Sequence, residues 1–257
     1  MIASSTTSTR DNNGTPVDGT PVDGAPSNGS PSNGSPDSAS PADAPTIYRA
    51  GPAHYGDLRQ LGALISDAFL GLSAVRWLTK DDRPNAPHVF ARWSELHIAD
   101  ALQRGHVDLL TSNDSEDDPE PLAAAVWFTN PHAEPPRDYD QQLLRAVGRR
   151  SIDRFRTLDT VMADAHPGGQ HHHHLLLIAV RPGLQGGGYG SALLAHHHRL
   201  LDDAGTPAYL EAASADSARL YLRHGYTHIG EPLTLPGNDS PGLWPMWREP
   251  KTLPTAS

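Results

Sequence analysis

The chain has no cysteine. That excludes a disulfide scaffold, a zinc site built on thiolates and a thiol nucleophile. Lysine is nearly absent as well, with 2 Lys against 18 Arg, and 30 acidic residues against 20 basic ones leave a net charge of −10 and a pI near 5.8. Nucleic-acid binding draws its affinity from phosphate neutralisation, so no nucleic-acid partner is expected. Apolar runs are short, and none approaches the roughly 18 residues a membrane helix needs. Residues 1–10 contain no apolar stretch of signal-peptide length, so the expectation is a cytoplasmic protein with no membrane partner. Aromatic residues are sparse at 6%, and none precedes Tyr48.

What is present comes in two kinds. In residues 1–45, Gly14, Gly19, Gly24, Gly29 and Gly34 recur every five positions, and so do Pro16, Pro21, Pro26, Pro31, Pro36 and Pro41. Such a segment has too little apolar surface to offset the ordering of its backbone, so a disordered N-terminal tail is expected. So regular a period fits a slipped repeat better than a binding tract. The tail holds one Arg and five Asp, which leaves −6 of the net charge to the remainder. Residues 46–250 are the expected folded domain, a size that supports one core, and 251–257 a short C-terminal tail.

Within 46–250 the pattern alternates. Strands are expected at 46–50, 106–111, 122–129, 175–180, 208–212, 226–231 and 242–248, with 106–111 and 122–129 forming a hairpin around an acidic linker. Helical spacing predicts helices at 57–72, 87–104, 139–165, 190–204 and 216–224. The 139–165 segment reads as one long helix with an apolar stripe of Leu144, Val147, Phe155, Leu158 and Met162. The class is mixed α/β.

The most informative stretch is 180–194, Val-Arg-Pro-Gly-Leu-Gln-Gly-Gly-Gly-Tyr-Gly-Ser-Ala-Leu-Leu. A buried strand ends at Val180, Pro182 stops it, and a glycine-dense loop runs straight into an apolar-periodic helix. Glycines let a backbone approach a ligand, and the helix N-terminus favours a phosphate. A Walker loop is excluded because no Lys lies here. A Rossmann fingerprint is excluded because the helix begins immediately after Gly190, and the acidic residue about 20 positions on, Glu211, is followed at once by Ala212, Ala213 and Ser214.

The order Val-x-Pro-x-x-Gln-Gly-x-Gly-x-Gly before a helix resembles the acetyl-coenzyme A signature of the GNAT superfamily of N-acetyltransferases. A second block, Tyr209-Leu210-Glu211-Ala212-Ala213-Ser214 followed by Arg219-Leu220-Tyr221-Leu222-Arg223-His224-Gly225-Tyr226, is similar to that family's Leu-Glu-Ala-Ser … Leu-Tyr-Glu-Arg-His-Gly-Phe segment, with Leu222 and Tyr226 as departures. Paired with a closing strand that carries Trp244 and Met246, these blocks resemble puromycin N-acetyltransferase and its relatives. The resemblance implies a GNAT fold: a central, mixed, mostly antiparallel twisted sheet flanked by helices. It also implies acetyl-CoA as co-substrate and acetyl transfer to a primary amine. A small-molecule amine is the expected acceptor, with resistance to, or self-protection against, an aminoacyl-nucleoside-type antibiotic as the specific version. A protein or peptide acceptor, and a non-catalytic CoA-binding module, stand as alternatives, and the protein is expected to be a monomer or homodimer.

By the same resemblance, backbone groups of Ile178, Ala179 and Val180 hold the pantetheine arm, and Gln185, Gly186, Gly187, Gly188, Tyr189, Gly190 and Ser191 form the pyrophosphate cradle. Ser214 stands where relatives carry a cofactor-contacting Asn. Tyr221 matches the family's general acid, and its ordinary pKa of about 10 suits donation to a thiolate. The base is open: Glu211 on the adjacent strand, one of His171–His174 (His173 or His174 facing the acceptor), or water. With no cysteine, an acyl-enzyme on sulfur is excluded, so direct attack within a ternary complex is expected.

The 15 histidines invite a metal reading. His196, His197 and His198 fan around a helix and cannot converge on one ion, and no His-x-x-x-His pair falls in an expected helix. No metal is expected, and these histidines read as polar surface and strand edge. Acceptor contacts are expected from the first two helices, the 139–165 helix and loops 130–138 and 233–242. The tryptophans (77, 93, 127, 244 and 247) read mostly as core, and the acidic run 114–120 as a solvated hairpin tip.

Overall fold

The computed structural model describes residues 45–112, 120–129, 135–237 and 242–251. The repeat tail before Pro45, the acidic hairpin tip and the last six residues, together with parts of the loops at 130–138 and 233–242, lie outside the described residues.

Eight strands form a sheet: β1 (Thr46–Ala50), β2 (Gly105–Thr111), β3 (Pro121–Phe128), β4 (His173–Val180), β5 (Ala208–Ala212), β6 (Thr227–His228), β7 (Leu233–Thr234) and β8 (Gly242–Arg248). Their order is β1-β2-β3-β4-β5-β8-β6, with β7 also on β8. Every pairing is antiparallel except β4 with β5. The helices are α1 (Leu58–Phe69), α2 (Ser73–Leu78), α3 (Ala86–Arg104), α4 (Tyr139–Ala165), α5 (Tyr189–Ala204) and α6 (Ala215–Arg223).

Period-2 alternation divides the core between the two faces of the sheet. One face carries α1 to α4, with Ile65, Phe69, Phe90, Trp93 and Phe155 fully buried. The other carries α5 and α6, with Trp127, Ile178, Leu193, Leu210 and Tyr221 buried. Each such large side chain contributes roughly 1.5–3 kcal/mol through the apolar area it removes from water.

Four expectations are corrected. The 139–165 segment is not one straight helix: Gly148 takes φ +73°, ψ +168° inside it, and the chain folds back there. The Tyr139 hydroxyl donates to Asp159 at 3.0 Å, and Arg156 reaches Asp140 at 2.6 and 2.8 Å. Residues 16 to 20 apart on an unbroken helix would lie roughly 24–30 Å apart. Because each arm sets its own phase, Leu143 rather than Leu144 joins the buried row with Val147, and Leu144 is exposed.

The expected strand at 226–231 shrinks to Thr227–His228, because Gly230 takes φ +63° and turns the chain. The short helix α2 was not foreseen, since six residues are too few to display a period. Of the clustered histidines, His171 is exposed as expected, but four are not surface groups: His172, His174, His197 and His198 are buried. Each has a polar partner inside, such as the His198 contact with the Tyr226 hydroxyl at 3.0 Å.

Candidate active site

Strands β4 and β5 are parallel but pair only briefly, His173 with Ala208, His174 with Tyr209 and Leu175 with Leu210. Beyond Leu175 the strands part. Ile178, Ala179 and Val180 stay paired with β3, at Ala125, Ala124 and Ala123, while their edge toward β5 has no strand partner. The family resemblance assigns the pantetheine arm to this edge.

At the end of β4 the chain enters the glycine loop. Gly183, Gly186 and Gly188 have φ of +88°, +84° and +86°, in the left-handed region where an L side chain is strained, and a Cβ at Gly186 or Gly188 would meet nothing within 4 Å. A Cβ at Gly187 would press on the Leu184 carbonyl at 3.1 Å and on the Tyr189 ring at 2.9 Å. Gly188 is the N-cap of α5, and no side chain caps this helix. The N–H groups of Tyr189, Gly190 and Ser191 therefore open the helix without intrahelical acceptors, beside three exposed glycines. Such a cradle suits an anion. The side chain of Gln185 turns back toward the Val180 carbonyl at 3.5 Å.

Opposite α5, Ser214 caps α6: its hydroxyl accepts from the Ser217 N–H at 3.1 Å and lies 3.0 Å from the Ser217 hydroxyl. That cap fixes the helix that carries Tyr221. The Tyr221 ring packs against Tyr226 at 5.6 Å, and its hydroxyl is fully buried with no hydrogen-bond partner among the described residues. Burial, followed by the charges of Tyr226 and Glu211, pushes the Tyr221 phenol well above its ordinary value, so it stays protonated.

Pairing His174 with Tyr209 puts both on one face of the sheet, with Glu211 two residues further along it. His174 Nε2 meets the Glu211 carboxylate at 2.9 Å, and both side chains are buried. Burial, the largest influence, acts to raise the Glu211 carboxyl, but the imidazole beside it and the Tyr209 hydroxyl are among the groups that together hold it below the usual value. An ionised Glu211 accepts the Nε2–H, which leaves Nδ1 as the lone-pair nitrogen of the ring. Burial and the Glu211 charge together raise the Tyr209 phenol.

His174 also lines a cleft of about 560 Å³, together with Leu176, Phe128 and the helices α3 and α4. Its helical wall contributes Trp93, His97, Asp100 and Arg104 from α3 and Tyr139, Asp159 and Met162 from α4, with His166 just beyond. Burial lowers His97 to about 4, so it is neutral at physiological pH. The expected site residues thus fall into three parts: the glycine cradle, the parted strands and Tyr221, and the His174–Glu211 pair, whose His174 lines the cleft.

His173 points the other way. Its Nδ1 lies 3.0 Å from His197 Nε2, and His197 Nδ1 lies 2.7 Å from the buried Asp108. Among the described residues no group of three or more His, Asp or Glu is arranged to hold a metal ion.

Asp159 and Tyr139 were not foreseen as site residues. A usable signal existed: Asp159 interrupts the apolar row Phe155, Leu158, Met162 on one helical face.

Residues 155–228 match the family model of the acetyltransferase (GNAT) domain. The fold is GNAT-like. Among solved structures, the chain is 26% identical to a histone acetyltransferase HPA2 and related acetyltransferase from Corynebacterium glutamicum, with a TM-score of 0.55, covering 82% of this chain and 99% of that one. The C-terminal condensation domain of Ebony in complex with beta-alanyl-dopamine aligns at 12% identity and TM-score 0.57, covering 80% and 99%. Arylalkylamine N-acetyltransferase 2 from Aedes aegypti aligns at 13% and 0.53, with the same coverage. The last two likenesses are of fold alone. No curated protein sequence matches the chain, and no helix among the described residues is long and apolar enough to cross a membrane.

Proposed function

We propose that the protein is an acetyl-CoA-dependent N-acetyltransferase that modifies a primary amine of a small molecule by direct attack in a ternary complex. The observation that carries this reading is the buried His174–Glu211 pair beneath the cleft, close enough to Tyr221 for the Glu211 charge to act on its phenol. Acyl transfer to an amine needs one group to take a proton and another to give one. His174 Nδ1 takes the proton of the attacking amine, and Glu211 fixes the tautomer and balances the imidazolium that results. Of the bases that the sequence leaves open (Glu211, a His of 171–174, or water), the contact between the two favours His174 backed by Glu211. The Tyr221 hydroxyl, protonated and without another partner among the described residues, holds the proton that a departing thiolate requires.

The residues fit acetyl-CoA. When bound, acetyl-CoA supplies an activated acetyl thioester. Gly186, Gly188, Tyr189, Gly190 and Ser191 offer N–H groups for its pyrophosphate, Gly187 shapes the loop through its own N–H bond to the Leu184 carbonyl, and the edge of Ile178–Val180 toward β5 suits the extended amide arm. Ser214 acts mainly through α6, since its hydroxyl is engaged by Ser217.

The cleft volume lies within the usual range for small-ligand sites, and its wall is aromatic, both of which favour a compact amine. The antibiotic-directed version rests on the motif likeness to puromycin N-acetyltransferase relatives. A protein or peptide acceptor is the second reading, favoured by the likeness to the histone acetyltransferase-related structure. Mass spectrometry of amine and peptide mixtures incubated with protein and acetyl-CoA tests the choice. Acetylated small amines with untouched peptides support the first reading. Acetylated peptides alone support the second, and CoA binding without any acetylation contradicts both.

A further inference from the structure

The cleft has two carboxylates on its helical wall, and they are treated differently. Asp100 is neutralised by Arg104, which reaches it through two nitrogens at 2.5 and 2.6 Å. Asp159 receives one hydrogen bond, from the Tyr139 hydroxyl at 3.0 Å, and has no cationic partner among the described residues. It sits in an apolar row, in a cleft lined by Trp93, Phe128 and Tyr139. A half-buried carboxylate with a single neutral donor is only partly compensated. Aromatic faces around it attract cations through their quadrupoles. Such surroundings complement a positively charged nitrogen.

That nitrogen is not the one that reacts. The reacting amine must be neutral when it attacks, and a carboxylate against it would favour the ammonium form. The His174–Glu211 pair offers the deprotonating position on the strand wall, while Asp159 belongs to the helical wall. Two polar points in one apolar cleft call for two nitrogens in one ligand.

We infer that Asp159 recognises a second, cationic nitrogen of the acceptor, so that the preferred substrates are apolar or aromatic amines with two basic centres, one acetylated beside His174 and the other held by Asp159. This inference rests on the cleft being the acceptor site. Asp159 acts as a specificity residue, and Tyr139 orients it.

Binding is tested first without chemistry, using benzyltrimethylammonium, a permanent cation that cannot be acetylated, in calorimetric titrations of the full-length protein. Saturable binding is expected, weakened about tenfold or more in Asp159→Asn and less in Tyr139→Phe, whereas neutral benzyl alcohol does not distinguish the variants. Equal affinity of parent and Asp159→Asn for the cation overturns the inference, as does absence of binding. In turnover, 4-(aminomethyl)benzylamine should exceed benzylamine about tenfold in kcat/KM, with the preference lost in Asp159→Asn mainly through KM. An equal loss of kcat for both amines in that variant also overturns it, because Asp159 would then serve the proton transfer itself. Cation binding that depends on Asp159, with no amine acetylated, leaves recognition standing and removes the acetyl-transfer reading.

Discussion

His174 and Glu211 come from different strands, 37 positions apart, and meet at 2.9 Å with both side chains buried. The parallel pairing of β4 with β5 holds them there: His174 faces Tyr209 in register, and Glu211 lies one pleat on. In the proposed mechanism the carboxylate orients the ring and supplies its countercharge, so the two are expected to behave as a unit.

Removing either member should therefore cost much of the rate. His174→Ala is expected to lower kcat about 10²- to 10⁴-fold, the usual range for a general base. Glu211→Gln should lower it less, because the ring loses its countercharge but stays in place. The double variant should be little worse than His174→Ala alone. Full additivity of the two losses, in steady-state kinetics, would separate the residues into independent roles.

Tyr221→Phe separates chemistry from stability. The Tyr221 hydroxyl is buried without a partner among the described residues, so its removal should leave stability unchanged or raise it by up to about 1 kcal/mol. Acetyl transfer should nevertheless fall about 10²-fold or more. Urea unfolding and turnover of the same preparation check both halves. A variant that is less stable and equally active would make Tyr221 a packing residue.

Much of the candidate site was legible as a proposal in the chain because its parts are local. The glycine loop, the strand before it and the Tyr221 helix follow each other within a short stretch, and each has a strong backbone requirement. The His174–Glu211 partnership was not readable in that way, since it depends on which strands are parallel and in what register. The four buried histidines escaped the sequence for a related reason. A run of His looks solvated until its partners are known, and Asp108, which satisfies His197 at 2.7 Å, lies 89 positions away. Likewise, the continuous helical signal over 139–165 hides the reversal at Gly148, because both arms keep helical spacing.

Asp159 makes a prediction about stability. Burial raises its carboxyl from an ordinary 3.8 to about 6, while the Tyr139 hydrogen bond acts in the opposite sense. The folded state then holds a proton more tightly than the unfolded chain, so stability falls as pH rises through roughly 4 to 6 and stays lower above. The cleft's other facing groups are His97, Asp100, Arg104, Tyr139, His166 and His174. Of these, His97 titrates near 4 and Tyr139 is raised far above neutrality. Asp159→Asn should accordingly be more stable than the parent by about 2–3 kcal/mol at pH 7, from about 1.4 kcal/mol per pKa unit. The gap should close below pH 4, as read by urea unfolding at several pH values. A gap that does not change with pH would contradict the raised carboxyl.

The glycine cradle can be probed against an internal control. Gly188 (φ +86°) caps the start of α5 and Gly205 (φ +62°) its end. Alanine at either position forces a side chain into left-handed backbone, at roughly 1–2 kcal/mol. Both variants should lose similar stability, but only Gly188→Ala should lose acetyl-CoA affinity, about tenfold, by calorimetry. Equal affinities in the two variants would move the pyrophosphate away from this loop.

The most direct test of the central claim is turnover of acetyl-CoA with a small diamine acceptor, followed by thiol release and by mass spectrometry of the product, in the parent, His174→Ala and Tyr221→Phe. Transfer of one acetyl group to the amine by the parent, reduced at least 10²-fold in both variants while acetyl-CoA still binds, is the predicted result. Unchanged transfer in both variants, or acetyl-CoA binding with no transfer to any amine by the parent, would contradict it.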